Sequence, residues 1–387
     1  MRRSLLLAAL ALAACSTDPA PAPTPLVVER EPRVRVLLSK YTGVREAAID
    51  LGSSLRIEAP DGSPLGTVPA GKGIVVAAGP PLQVGGITCP HPTVRLVPEA
   101  DGSIGLGGTT YRGAVVVRAR PEGLDLVDEL PMEDYLAGVL GMEMPLDWSD
   151  EALSAQAIAA RTYALHEIAT SGRTDFDVHD TVQSQVYGGM KKDDATARRV
   201  IEATRGVYMV HGGKVLKAYF SSTCGGHTES AALVFGDEPT PPLAGSDCGA
   251  CTASKYWRWS ADFDGWFIAA KLSEAGHPTR GDIEAIEVVE PGPGGHGTDV
   301  RVRSSAGETT IQANAFRAAL GYSTLRSTAF TATRTAAGFR FEGRGWGHGV
   351  GLCQNGAEGL ARRGVKAREI LLVYYPGVEF QQYRSGP

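Results

Sequence analysis

The chain of 387 residues carries 38 Lys and Arg against 43 Asp and Glu, a net charge of −5, with 43% hydrophobic residues. Such a composition suits one large globular domain or two ordinary ones, and the absence of a basic footprint argues against nucleic acid as a partner. The 48 Gly and 24 Pro point to many turns and modest helix content.

Met1-Arg2-Arg3 followed by the apolar stretch 5–14 reads as an export signal, too short to span a bilayer. Leu12-Ala13-Ala14-Cys15 resembles the bacterial lipoprotein cleavage signal. On that reading residues 1–14 are removed and Cys15 carries the lipid; a plain secretory signal peptide is the alternative. Ser16 after the cysteine, rather than Asp, favours the outer membrane, with the protein facing the periplasm. The Pro/Ala-rich residues 15–32 read as an extended tether. No second apolar run is long enough to cross a membrane, and ATP and NAD are not expected where such a protein works.

Residues 33–128 carry a β pattern, with short apolar runs at 34–38, 74–77, 94–97 and 114–119 between Asp-Gly and Gly-Pro punctuation. They form either a separate small β domain or strands wrapped around the helices that follow. The expected class is α+β, a β-rich N-terminal part leading into a mixed α/β core over 129–385 with a central cleft.

The core opens with two helices. Pro131 is well placed to start the first, and Met132, Tyr135, Leu136, Val139 and Leu140 recur at helical spacing. Gly141 reads as the stop, which puts Glu143 just beyond the helix C-terminus among Met142, Met144 and Pro145. The negative end of the helix dipole and the apolar neighbours disfavour ionisation there, so Glu143 is a candidate general acid rather than an ordinary loop carboxylate. The second helix has Asp147, Ser149 and Asp150 as available caps, Glu151 in its first turn and Gly172 past its end. Ala152, Ala155, Ala159 and Ala160 give it a small inner face. Arg161 and Tyr163 on the same helix are candidate substrate contacts, or else a salt bridge and a core phenol.

A third helix is expected over 193–204, closed by Gly206, and a hairpin over 207–220 around Gly212-Gly213. Cys224-Gly-Gly-His227 and Cys248-Gly-Ala-Cys251 have the spacing of a tetrahedral zinc site with three Cys and one His; disulfides are the alternative in an oxidising compartment. Four protein ligands leave no open position, so the zinc would be structural. Cys89 and Cys353 remain as a distant disulfide or two buried thiols. Beyond 283, strands alternate with two short helices near 356–374. The run from Arg344 through Trp346, His348 and Gln354 to Ala357 alternates glycine with other residues after a strand at 339–342. It lacks the Lys-Ser/Thr pair of a phosphate loop. Trp346 offers a face for a sugar, and His348 is either a site residue or a satisfied structural histidine.

Together LPMEDYLAGVLGMEMP, AQAIAARTYAL, DTVQSQVYGG, AYFSSTCGGHTES and GRGWGHGVGLCQNGA resemble the SpoIID/LytB family, over about 33–383. The resemblance implies cleavage of peptidoglycan glycan strands that have lost their stem peptides, by a lytic transglycosylase with Glu143 as acid/base. It implies zinc at the Cys/His cluster; with Glu143 as the acid, Gln183, Gln185, Tyr187, His348 and Gln354 are the expected hydrogen-bonding contacts to the sugars. The modifier branch of the family implies a second reading, a non-catalytic glycan-binding lipoprotein that activates a cell-wall amidase. A zinc hydrolase is the third.

Overall fold

A computed structural model describes residues 28–384 apart from Lys72 and Asp101. The export signal, Cys15 and most of the tether lie outside the described residues.

The alternating apolar residues of the N-terminal part build two antiparallel sheets. One has six strands, running from Thr109–Arg112 through Ser103–Leu106, Glu46–Leu51, Ile74–Ala77 and Leu82–Val84 to Ile87–Cys89. The other has seven, and its long central strands Arg33–Val44 and Gly123–Pro131 pair with Arg33 opposite Pro131. Its outermost strand, Val178–His179, comes from the helical part of the chain and lies parallel to Arg33–Val44. Val34, Val36, Ile49 and Leu126 share one continuous core with Leu136, Ala159, Met209 and Tyr375. The strands therefore wrap around the helices instead of closing on a core of their own.

The strand Gly123–Pro131 delivers the chain directly into α1 (Met132–Glu143), with Pro131 at its N-cap. The helix runs two residues past Gly141. That glycine is required by packing and not by a stop: a Cβ there would lie 2.7 Å from the Lys192 Cβ. Gly138 is closer still, since a Cβ would stand 2.3 Å from the Tyr187 ring. Both let the segment 187–192 lie against α1.

Helix α2 (Asp150–Thr170) is the axis of the core. It packs against α1, α3 (Ala195–Ala203) and the strand Val207–His211, and its fully buried alanines admit close neighbours. The helix α4 (Ala231–Phe235) is short. The strand Val207–His211 turns at Gly212-Gly213, both with positive φ, into only two further paired residues, Lys214–Val215. The expected hairpin thus ends early, and Phe220–Ser221 instead pairs in parallel with Leu352–Cys353.

Residues Trp259–Phe341 close around a second core. Two three-stranded sheets form it, Trp259–Asp264 with Gly338–Gly343 and Phe330–Thr335, and Ile283–Val289 with Asp299–Ser304 and Gly307–Gln312. Helices α5 (Gly265–Glu274) and α6 (Ala313–Leu320) cover them. The chain then returns to the first core through α7 (Gln354–Ala361) and α8 (Ala367–Tyr374), both packed on α2.

Candidate active site and cysteine cluster

Glu143 is the last residue of α1, and two other segments converge on its carboxylate. The Val186 backbone N–H donates to Oε1 at 2.8 Å, and the Gln354 side-chain amide reaches Oε2 at 3.4 Å. Among the described residues no basic side chain forms an ion pair with it. Desolvation pushes the Glu143 carboxyl above its ordinary value, against the opposing pull of the Val186 N–H and the Gln354 amide. A carboxyl that holds its proton more tightly in this way is suited to give one to a leaving oxygen and take one back.

Gln354 owes its position to the start of α7, one residue after Cys353, and its amide also approaches the Gln156 Oε1 at 3.4 Å. Gln156 lies fully buried on α2, and its own Nε2 has no partner. It was not among the residues expected at the site. A glutamine on the small inner face of α2 was the available signal, because a lone amide among alanines needs a partner.

The other expected contacts divide. Arg161 is fully buried and spent on a local network: it donates to both Glu133 oxygens, at 3.0 and 2.6 Å, and to the Val207 carbonyl at 3.0 Å. It has no face left for a substrate, because removing its charge from water demands this full set of acceptors. Tyr163 is buried, hydrogen-bonded to Ser184 with its ring against Tyr219. Gln185 is buried too, accepting from the Tyr135 hydroxyl at 2.7 Å and donating to the Ala160 carbonyl at 3.1 Å. Tyr187 stacks on Tyr135 and donates to Asp128 at 2.6 Å. Tyr163, Gln185 and Tyr187 thus lock 184–187 onto α1 and α2, and so aim the Val186 N–H at Glu143. Gln183 is exposed, as is Val182 beside it. Asp128, sealed under Tyr187, has its carboxyl raised by burial to about 8, with the tyrosine hydroxyl opposing.

The glycine-rich turn is zipped to its surroundings by its backbone. Trp346 exchanges hydrogen bonds with Thr223, the Gly345 N–H donates to Tyr256, and the Gly347 N–H donates to Arg326. The Trp346 ring is half-buried and meets Tyr256 edge-on at 4.2 Å. His348 is packed against Phe235 and Tyr219. Its Nδ1 accepts from the Val350 N–H at 3.1 Å, so the other nitrogen carries the proton and faces the Phe220 carbonyl. Burial, with the Arg317 charge, pushes it down to about 4. His348 is a neutral histidine with both nitrogens engaged inside the protein.

The cysteines correct the expected ligand set. Cys224, Cys248, Cys251 and Cys353 are buried with their sulfurs within 4.8 Å of one another, and His227 is outside the group. Between Cys224 and His227 the positive φ of Gly225 and Gly226 turns the chain, so the cysteine points in and the imidazole points out. The His227 Nδ1 meets the Thr228 carbonyl, and Nε2 lies 3.9 Å from Asp247. Cys353 takes the fourth place because the parallel pair Phe220–Ser221 and Leu352–Cys353 delivers it there. All five described cysteines, Cys89 included, are free thiols. The Cys224 and Cys251 sulfurs are 3.7 Å apart, against roughly 3.8 Å for the edge of a tetrahedron with metal–sulfur bonds of about 2.3 Å. The donor set therefore fits a tetrahedral, thiolate-loving metal. Backbone N–H groups of Cys224 and Gly356 also point at the Cys353 sulfur, at 3.2 and 3.3 Å, which favours its thiolate.

A family model described as Stage II sporulation protein, SpoIID, matches residues 120–211, and a domain of unknown function, DUF8618, matches 246–351. The chain belongs to the SpoIID/LytB family. Among curated relatives it is 35% identical over 295 residues to an uncharacterised protein of Brachyspira hyodysenteriae, covering 74% of this chain and 77% of that one. It is 29% identical to the stage II sporulation protein D of Bacillus amyloliquefaciens over 276 residues, 67% of this chain and 76% of the relative. With the amidase enhancer of Bacillus subtilis it shares 28% over 291 residues, 64% of this chain but only 40% of that longer protein.

Proposed function

We propose that the protein acts on the cell wall as a lytic transglycosylase of peptidoglycan glycan strands. The observation that carries this reading is the desolvated Glu143 carboxyl, without an ion pair among the described residues and supported by the Val186 N–H and the Gln354 amide. Hydrolytic glycosidases use two carboxylates, one of which activates water or attacks carbon. A lytic reaction needs one. Glu143 gives its proton to the bridging oxygen, the bond from that oxygen to muramic C1 breaks, and the neighbouring sugar leaves with a free hydroxyl. The muramic C6 hydroxyl then closes on C1 and returns its proton to the Glu143 carboxylate. Gln354 holds the carboxylate oxygen through both states, and Gln156 keeps the Gln354 amide turned the right way.

In the same reading the four thiols of Cys224, Cys248, Cys251 and Cys353 hold a zinc ion that supplies structural cross-linking and no chemistry. A zinc hydrolase fits poorly, since four sulfur ligands leave no place for substrate. Cys15 would carry a lipid that anchors the protein in the envelope, facing the periplasm. The test is digestion of purified glycan strands, with and without stem peptides, followed by mass spectrometry. Lytic cleavage gives muramic ends one water lighter than hydrolysed ends, and Glu143→Gln abolishes them. Activity retained in that variant refutes the assignment.

A second reading draws on the likeness to an amidase enhancer. It predicts strand binding and stimulation of a cell-wall amidase with no new ends, and the same digestion separates the two.

A further inference from the structure

Six large apolar side chains are exposed among the described residues, and two of them, Val182 and Phe235, lie on segments tied to the surroundings of Glu143. A single exposed apolar residue needs no explanation. Phe235 differs in how its ring is held. It ends α4, where Gly236 turns left-handed with φ 73° and closes the helix on the Ala232 carbonyl. Ala231 and Val234 of that helix face inward, and the Phe235 ring is left outside, 37% exposed. One face of it stacks on Tyr219, with centroids 4.5 Å and planes 20° apart, and it meets the His348 ring edge-on at 5.1 Å. Tyr219 is itself fixed. Its hydroxyl donates to Asp237 at 2.7 Å, the Lys217 ammonium lies 5.0 Å from its ring centroid, and its ring packs against Tyr163. The exposed phenyl therefore rests on a rigid aromatic base.

That base connects to the acid by two routes. Tyr163 is hydrogen-bonded to Ser184, and Val186, two residues further on, donates to Glu143. The Tyr219 carbonyl accepts from the Leu352 N–H at 3.0 Å, and Gln354, two residues on, reaches the same carboxylate. Helix α2 supplies the scale. Gln156, beside Gln354, and Tyr163, against Tyr219, are seven residues apart on one face of the helix, about 10.5 Å along its axis. A glycan strand that passes Glu143 along this face reaches Phe235 after roughly the length of one disaccharide.

We infer that Phe235, on its base of Tyr219 and His348, is a stacking platform for a sugar that lies one disaccharide away from the bond cleaved at Glu143. Val182 and Gln183, exposed on the loop that Ser184 ties to Tyr163, border the same path. This deepens the proposed function and rests on its glycan substrate. A sugar ring presents a face of C–H groups that lies flat on a fixed aromatic ring, while the hydroxyls around its rim stay in water. No charge takes part, so the platform reads the length of the strand and not the carboxylates or peptides that the strand carries. It favours cuts that leave at least one disaccharide on the Phe235 side.

The test measures binding of the Glu143→Gln protein, which cannot turn over, to murein oligosaccharides of increasing length, from a single disaccharide upward. Affinity is expected to step up where the oligosaccharide first spans both position 143 and Phe235, and salt should leave that step in place. Adding Phe235→Ala should weaken the long oligosaccharides roughly three- to tenfold and leave the shortest as it was. Phe235→Trp keeps the step. Phe235→Leu, apolar but without a flat face, loses most of it, which separates stacking from apolar contact in general. An unchanged melting temperature verifies folding in each variant. Equal weakening at every length, no weakening at all, or a Phe235→Leu protein that binds like its parent overturns the platform. Cleavage is read separately with Glu143 in place: cutting that ignores Phe235→Ala at every length overturns the platform and leaves Glu143 as the acid. Length-dependent binding that needs Phe235, without any cutting, supports the platform and removes the lytic chemistry.

Discussion

At the two ends of α1 stand two carboxylates that the fold treats in opposite ways. Glu133, in the first turn, is buried, and burial alone would raise its carboxyl. The charge and hydrogen bonds of Arg161, the Tyr383 hydroxyl at 2.6 Å and the Gly206 N–H at 3.1 Å outweigh that and hold it below the usual carboxylate range. Glu143, in the last turn, receives one backbone N–H and one amide and, among the described residues, no cation, and its carboxyl rises. The same helix thus favours the ionised form of the carboxyl at one end and the protonated form at the other. The dipole reinforces both, since its positive end faces Glu133 and its negative end Glu143. The lesson is that burial does not by itself set the charge state; the partners do.

The strongest way to break this contrast is to remove the cation from the anchor. Arg161→Met leaves Glu133 buried and uncompensated, and unfolding by urea should show a loss of about 3–5 kcal/mol. A loss under 1 kcal/mol would mean that the pair is not closed off from water. Next comes Glu143→Gln. Glycan cleavage should fall by at least about a hundredfold, the usual contribution of a general acid, while stability at neutral pH is unchanged or slightly higher.

The pH dependence sharpens the same comparison. For Glu133 the folded value is depressed, so its stabilisation is present above the unfolded value and disappears as pH falls through the folded one. For Glu143 the folded value is raised, so its share is complete below the unfolded value and disappears as pH rises through the folded one. Asp128 behaves like Glu143 over a wider window, from the ordinary 3.8 up to about 8. Melting followed from pH 4 to 9 should therefore show a decline that Asp128→Asn removes, with a gain on the order of a few kcal/mol at the alkaline end. A slope unchanged in that variant would remove Asp128 from the account. The smallest effect separates the two candidate fourth ligands. Cys353→Ser should lower metal content and melting temperature together, whereas His227→Ala should cost less than about 0.5 kcal/mol and leave the metal in place.

Features decided within a few residues were legible in the chain. The apolar spacing of α1, the Ala face of α2, the Gly212-Gly213 turn and the two closing helices are local consequences of periodicity and φ preference. Glu143 was legible for the same reason, since its helix and its methionines lie beside it. Helices α5 and α6 were not anticipated. Their segments are short, sit among turn signals, and become helical while closing a second core whose strands are far apart in sequence.

Spacing along the chain wrongly favoured His227, because it lies three positions from Cys224 while Cys353 lies 129 positions away. Likewise Arg161 looked available until the last strand brought Tyr383 and the turn at Gly206 onto its partner Glu133. Residue type and period, acting over one or two turns, determined by themselves which side chains lie inside and which carboxylate sits at a helix end. Only the tertiary structure decided what each buried polar group meets. Its partners arrive from segments tens to hundreds of residues away, and nothing local encodes the loop closures that bring them together.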